Sequence, residues 1–196
     1  MNEQADMSKT PAAVEAPVSD GLAGQADNGR LATILQVIPA LGSGGGVERG
    51  TVEIAEAITE AGGRALVVSA GGPQVHDLTR AGAEHITLPV DSKNPLTMYA
   101  NITRLAEVIR EQNVDLIHAR SRAPGWSAYF AARRTKTPFV TTFHGTYNIG
   151  NFLKRYYNSV MIKGARVISI SQFIAEHVRR IYGVPASRLR IIHRGV

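Results

Sequence analysis

Residues 32–62 read ATILQVIPALGSGGGVERGTVEIAEAITEAG, and this stretch decides the fold. It opens with an apolar run, 34–38, rich in β-branched residues, which predicts a buried strand. Pro39 ends that run, since proline cannot donate to a sheet ladder. A glycine-rich loop follows at 41–46. Val47, Ile54, Ala55 and Ile58 then recur at helical spacing, with Glu48, Glu53, Glu56 and Glu60 mostly on the other side. Gly62 and Gly63 stop the helix. Strand, glycine loop and helix form the opening of a doubly wound α/β domain, whose ligands bind at the carboxyl ends of the strands.

The same alternation continues to the end of the chain. Strands are predicted at 64–70, 84–89, 114–118, 138–142, 166–170 and 190–193. Helices are predicted at 74–81, 95–112, 124–134, 151–163 and from Ser171 to Tyr182. In 95–112 the expected buried face carries Leu96, Tyr99, Ile102, Leu105, Ala106 and Ile109. Strands alternating with helices imply a mostly parallel sheet with right-handed crossovers.

Residues 1–30 differ in kind. They lack aromatics and carry five acids and two bases, so they are expected to form a disordered leader. The chain's +6 therefore conceals about +9 on residues 31–196. A basic domain suits anionic partners: phosphorylated ligands, nucleic acid or an anionic membrane surface. The chain has no cysteine, which removes disulfide and thiolate chemistry and fits a cytoplasmic location. No apolar run approaches the ~18 residues of a membrane span. The sequence stops just after a predicted strand, without a closing helix, so a fragment or the first half of a two-domain protein is expected.

Three segments are candidates for chemistry. Successive glycines in GSGGGVERG (42–50) expose backbone N–H groups ahead of a helix, which suits a phosphate. Arg49 stands where a dinucleotide fingerprint needs its third glycine, and the second strand ends without an acid, so NAD is not expected. A P-loop's Lys-Ser/Thr is missing too. His144, in TTFHGTY (141–147), follows a strand directly and faces the same crevice; the alternative is a histidine satisfied by backbone. Arg120, Ser121 and Arg122 follow the fourth strand and would clamp a phosphate or form a solvated basic loop. The six histidines show no metal-ligand spacing, so no metal is expected. The segment 151–163, NFLKRYYNSVMIK, reads as a core-packing helix or, alternatively, as an interfacial helix that meets anionic lipid.

These motifs coincide in order and place. Gly45-Gly46-Val47-Glu48-Arg49, Thr142-Phe143-His144-Gly145, Ile168-Ser169-Ile170-Ser171 with Gln172-Phe173-Ile174, and Ile191-Ile192-His193-Arg194-Gly195-Val196 together resemble the N-terminal domain of family 4 glycosyltransferases. The resemblance covers about residues 32–196. It implies a Rossmann-like half of a GT-B architecture, in which two such domains face each other across a cleft. It implies an acceptor-side role here, with the nucleotide-sugar donor held by a C-terminal domain that carries a Glu-x7-Glu motif. Retaining transfer without a catalytic metal follows from the same likeness. It assigns Gly45 and Gly46 to the donor phosphates or sugar, and His144 to the active site. Glu48, Arg49, Arg120, Ser121, Arg122 and Tyr147 are the acceptor-binding candidates. The expected acceptor is a glycan or glycolipid of bacterial envelope polysaccharide or lipopolysaccharide synthesis. The expected location is the cytoplasm, peripheral at the inner face of the cytoplasmic membrane. The alternatives are a basic nucleic-acid-binding module, which lacks a recognisable signature, and another Rossmann enzyme of nucleotide-sugar metabolism.

Overall fold

The structure, a computed structural model, describes residues 31–147 and 150–193. The predicted leader and the final Arg194-Gly195-Val196 lie outside the described residues. The elements alternate as β1 (Thr33–Val37), α1 (Gly46–Glu60), β2 (Arg64–Ser69), α2 (Val75–Arg80), β3 (Glu84–Thr87), α3 (Pro95–Glu111), β4 (Leu116–Ala119), α4 (Arg122–Thr135), β5 (Phe139–Phe143), α5 (Phe152–Asn158), β6 (Arg166–Ser169), α6 (Gln172–Tyr182) and β7 (Leu189–Ile191). The strands form one parallel sheet in the order β3-β2-β1-β4-β5-β6-β7. Strand order reverses between β1 and β4. The carboxyl ends of those two strands, and the loops beyond them, therefore flank the crevice where doubly wound folds bind ligands.

Local chemistry explains the element ends. Asn94 accepts from the Leu96 amide at 2.9 Å and Pro95 occupies the first turn, so α3 starts there. Ser171 caps α6 through the Ile174 amide. Gly183 ends α6 at φ +66°, a conformation that L side chains rarely adopt.

Each face of the sheet buries a different layer. Leu35, Val37, Leu66, Ile117 and Ala119 point into the core beneath α3 and α4. Phe143, Val167 and Leu189 continue that face against α6 and the segment after α5. On the opposite face Val67, Ala65 and Ile38 meet Ala55 of α1 and Leu78 of α2. Residues of β1 and β4–β6 that alternate with the first set, namely Gln36, His118, Thr142 and Ile168, also face this α1 side.

Four expectations need correction. The helix predicted at 151–163 breaks at Asn158 and continues as a 3-10 turn, Ser159–Ile162. Asn158 is buried there and accepts from Arg122 Nη1 at 2.9 Å, so its side chain serves tertiary packing. In α3 the buried face runs through Asn101, Leu105, Ala106 and Ile109, while Leu96 and Tyr99 are exposed. In α1 it is Gly50, Thr51 and Ala55 that are buried, and Ile54 is exposed. The fourth helix also starts earlier than predicted, at Arg122, two residues before Pro124.

Candidate active site

A cavity of ≈ 180 Å³ opens at the carboxyl ends of β4–β6, under α1. Its polar lining comes from His118, Arg120, Thr142, His144 and His193, together with Glu53 of α1. Isoleucines from α1, β6 and the segment after β7 supply an apolar wall. The sequence-predicted His144 lines this cavity directly after β5.

Arg120 is buried at the end of β4. Its Nη1 donates to Gln36 Oε1 at 3.1 Å. Gln36 Nε2 in turn donates to the Thr51 carbonyl of α1 at 3.0 Å. A buried polar chain thus runs from β4 through β1 to α1, across the point where strand order reverses. It fixes the guanidinium against the cavity and holds α1 to the sheet.

His118 and Thr142 face each other from neighbouring strands, with His118 Nε2 and Thr142 Oγ1 2.7 Å apart. Burial pushes the His118 imidazole down to about 3, and the nearby Arg120 charge adds to the effect. His118 is therefore neutral at physiological pH and offers one donor and one acceptor rather than a charge.

The other predicted residues stand apart from this cavity. Gly45 caps the N-terminus of α1. Glu48 folds back over it, so that a Cβ at Gly45 would overlap the Glu48 carboxylate. That carboxylate occupies space an approaching anion would need, as in a capping box. Arg49 is exposed and pairs with Glu53 at 2.8 Å, one turn on. It reaches the cavity rim only through that partner. Gly46 starts the helix beside Gly45. Ser121 precedes α4 in extended conformation without a side-chain cap bond.

Arg120 and Arg122 do not form one phosphate clamp. Arg122 turns away from the cavity, with its guanidinium 4.1 Å from the Tyr147 ring centroid and its Nη1 on Asn158. Tyr147 packs on Phe143, ring centroids 5.1 Å apart. Burial pushes the Tyr147 hydroxyl up to about 12, against the opposing influence of Arg122. Arg122 and Tyr147 thus anchor the loop that leaves His144. Sequence reasoning missed Gln36, Thr142 and the part played by His118. Gln36 was a visible signal, as the one polar residue inside the run 34–38.

Strand order, glycine loop and a histidine-lined cavity at the carboxyl edge define a Rossmann-like domain with its candidate site where doubly wound folds bind ligands. Residues 44–196 match the model of Glycosyltransferase Family 4, and the chain belongs to that family, which has the GT-B fold. A glycosyltransferase structure from Rickettsia africae is 44% identical, with a TM-score of 0.74; the match covers 85% of this chain and 44% of that one. HepE of Anabaena, solved with UDP-glucose, is 20% identical at a TM-score of 0.67, over 84% of this chain and 44% of that chain. The lipopolysaccharide outer core galactosyltransferase WaaB is 12% identical at 0.62, over 84% and 46%. The last two likenesses are of fold alone. The chain thus spans less than half the length of these structures. No curated protein matched.

Proposed function

We propose that this domain is the acceptor-side half of a retaining glycosyltransferase, which moves a sugar from a nucleotide-sugar donor to a glycan or glycolipid acceptor without a catalytic metal. The observation that carries this reading is the convergence of His144, His118 and Arg120 on one cavity at the carboxyl ends of β4 and β5. The family 4 match and the 44%-identical glycosyltransferase of Rickettsia africae support sugar transfer as the reaction.

In this reading a retaining transfer builds positive charge on the sugar ring and negative charge on the departing phosphate. His144 holds a sugar hydroxyl and orients the ring for attack. Neutral His118 hydrogen-bonds a substrate hydroxyl from the adjacent strand, and Arg120 supplies a fixed positive charge behind them. Gly45 and Gly46 meet the phosphate side once Glu48 swings aside. The donor is held by a second domain, and the enzyme works at the inner face of the cytoplasmic membrane.

The test is sugar transfer by chain 1–196 against a panel of nucleotide sugars. Negligible turnover is expected, because the groups that hold the donor are assigned to the second domain. Robust transfer by this chain alone would contradict the division of labour.

A further inference from the structure

On the face of the sheet that α3 and α4 cover, away from the cavity, α3, α4 and α5 leave a groove of ≈ 380 Å³ between them. Pro95, Met98, Tyr99 and Ile102 of α3 form one wall, and Tyr156 of α5 the other. Trp126 of α4 forms the floor, stacked on Tyr156 with ring centroids 5.2 Å apart and on Phe130 at 5.9 Å. The apolar surface continues outward. Leu96 is 80% exposed, Tyr99 74%, Phe152 78% and Leu153 72%. Helical spacing puts Phe152, Leu153 and Tyr156 on one side of α5. An exposed apolar patch of this kind marks a contact surface rather than ordinary scatter.

The charge around the groove is of one sign. No aspartate or glutamate lies between Leu116 and Ala175, a span that carries nine lysines and arginines. None lies between Ser92 and Ala106 either, the half of α3 that lines the groove. Lys163 stands over the Trp126 ring, 5.6 Å from its centroid. Lys154 and Arg155 are exposed beside the protruding Phe152 and Leu153. Aromatic rings, exposed leucines and an acid-free basic rim are together the chemistry of a surface that enters the headgroup layer of an anionic bilayer.

We propose that the α3–α4–α5 face seats on an anionic lipid bilayer, with Tyr99, Phe152 and Leu153 entering the acyl boundary and Lys154, Arg155 and Lys163 meeting lipid phosphates. This inference rests on the membrane-side reading above and names the surface that performs it. The domain would then hold its glycosyl-transfer cavity on the opposite side of the sheet from the lipid.

Trp126 is the only tryptophan in the chain, so its fluorescence reports on the groove directly. The full chain is mixed with vesicles of phosphatidylglycerol and phosphatidylcholine, and with phosphatidylcholine alone. Binding to the first and not the second is expected, with Trp126 quenched when the acyl chains are brominated. Raised salt should weaken binding. Tyr99→Ser with Phe152→Ser and Leu153→Ser changes exposed side chains only and should abolish quenching. Lys154→Glu with Arg155→Glu and Lys163→Glu should weaken binding on the order of a hundredfold. Circular dichroism checks that each variant is folded, and quenching in the unaltered chain needs no variant. Failure to bind anionic vesicles, or binding that both triple variants retain, would overturn the proposal. So would a concentration-dependent dimer that the serine variant loses, because the face would then belong to a second copy. Transfer to a water-soluble acceptor is measured separately, in a glycosyltransferase that carries this domain together with the proposed donor-binding domain. Its absence while vesicle binding persists would indict the catalytic reading and leave this one standing.

Discussion

Arg120 Nη1 donates to Gln36 Oε1 across the β1–β4 boundary at 3.1 Å, both side chains buried. A buried cation is retained only where polar partners meet it, and removing one partner exposes the full cost of the other. Gln36→Leu deletes the acceptor for Arg120 and the donor to the Thr51 carbonyl in one step. It should cost about 2 kcal/mol of unfolding free energy, read in urea. An unchanged midpoint would mean that Gln36 is a bystander to the placement of Arg120 and α1.

His118 makes stability depend on pH. Its folded-state value lies near 3, below the ordinary 6.5, so between those values the unfolded chain binds more protons at this residue. Its contribution is therefore complete above pH 6.5 and falls as pH drops toward 3, by up to about 1.4 kcal/mol per pH unit. In His118→Gln that part of the slope should vanish. Denaturant unfolding at pH 7, 5.5 and 4.5 checks this. Equal slopes in the two proteins would contradict a buried, neutral His118.

Arg122 is a different kind of residue from Arg120, although the sequence presents them as a pair. It braces Tyr147 and Asn158, which bracket the loop after His144. Arg122→Ala should lower stability by about 1–2 kcal/mol, since the Asn158 oxygen loses a charged donor. Arg122→Lys should recover part of that loss but not the planar stacking. Thermal unfolding of both variants is the measurement. A lysine variant as stable as the parent would show that charge alone suffices.

Strand positions were legible because strands of a parallel sheet covered on both faces read as near-continuous apolar runs. That is the pattern of RALVVS in β2 and of TILQV in β1. His144 was legible because it ends such a run just before a glycine. The partnership of His118 with Thr142 was not, since it depends on the register of β4 against β5. Nor was Gln36 with Arg120, whose partners lie 84 positions apart. Periodicity in α3 showed that apolar residues recur, but not which side meets the sheet. Leu96 and Tyr99 therefore looked like core, although they are exposed at the groove. In segment 151–163 Val160 and Met161 pack inside, while Phe152, Leu153 and Tyr156 are exposed, a division that a bare run of apolar and basic residues does not reveal.

The cavity at the carboxyl ends of β4 and β5 is the centre of this account, and His144 tests it most directly. The measurement is kcat for His144→Ala in a glycosyltransferase that carries this domain together with the proposed donor-binding domain, with thermal unfolding recorded beside it. Glu107→Ala, exposed on α3 and outside the cavity lining, is the control. The account predicts a loss on the order of a hundredfold in kcat for His144→Ala, with the melting temperature nearly unchanged. Near-normal kcat, or a domain that unfolds, would make His144 structural and contradict the assignment.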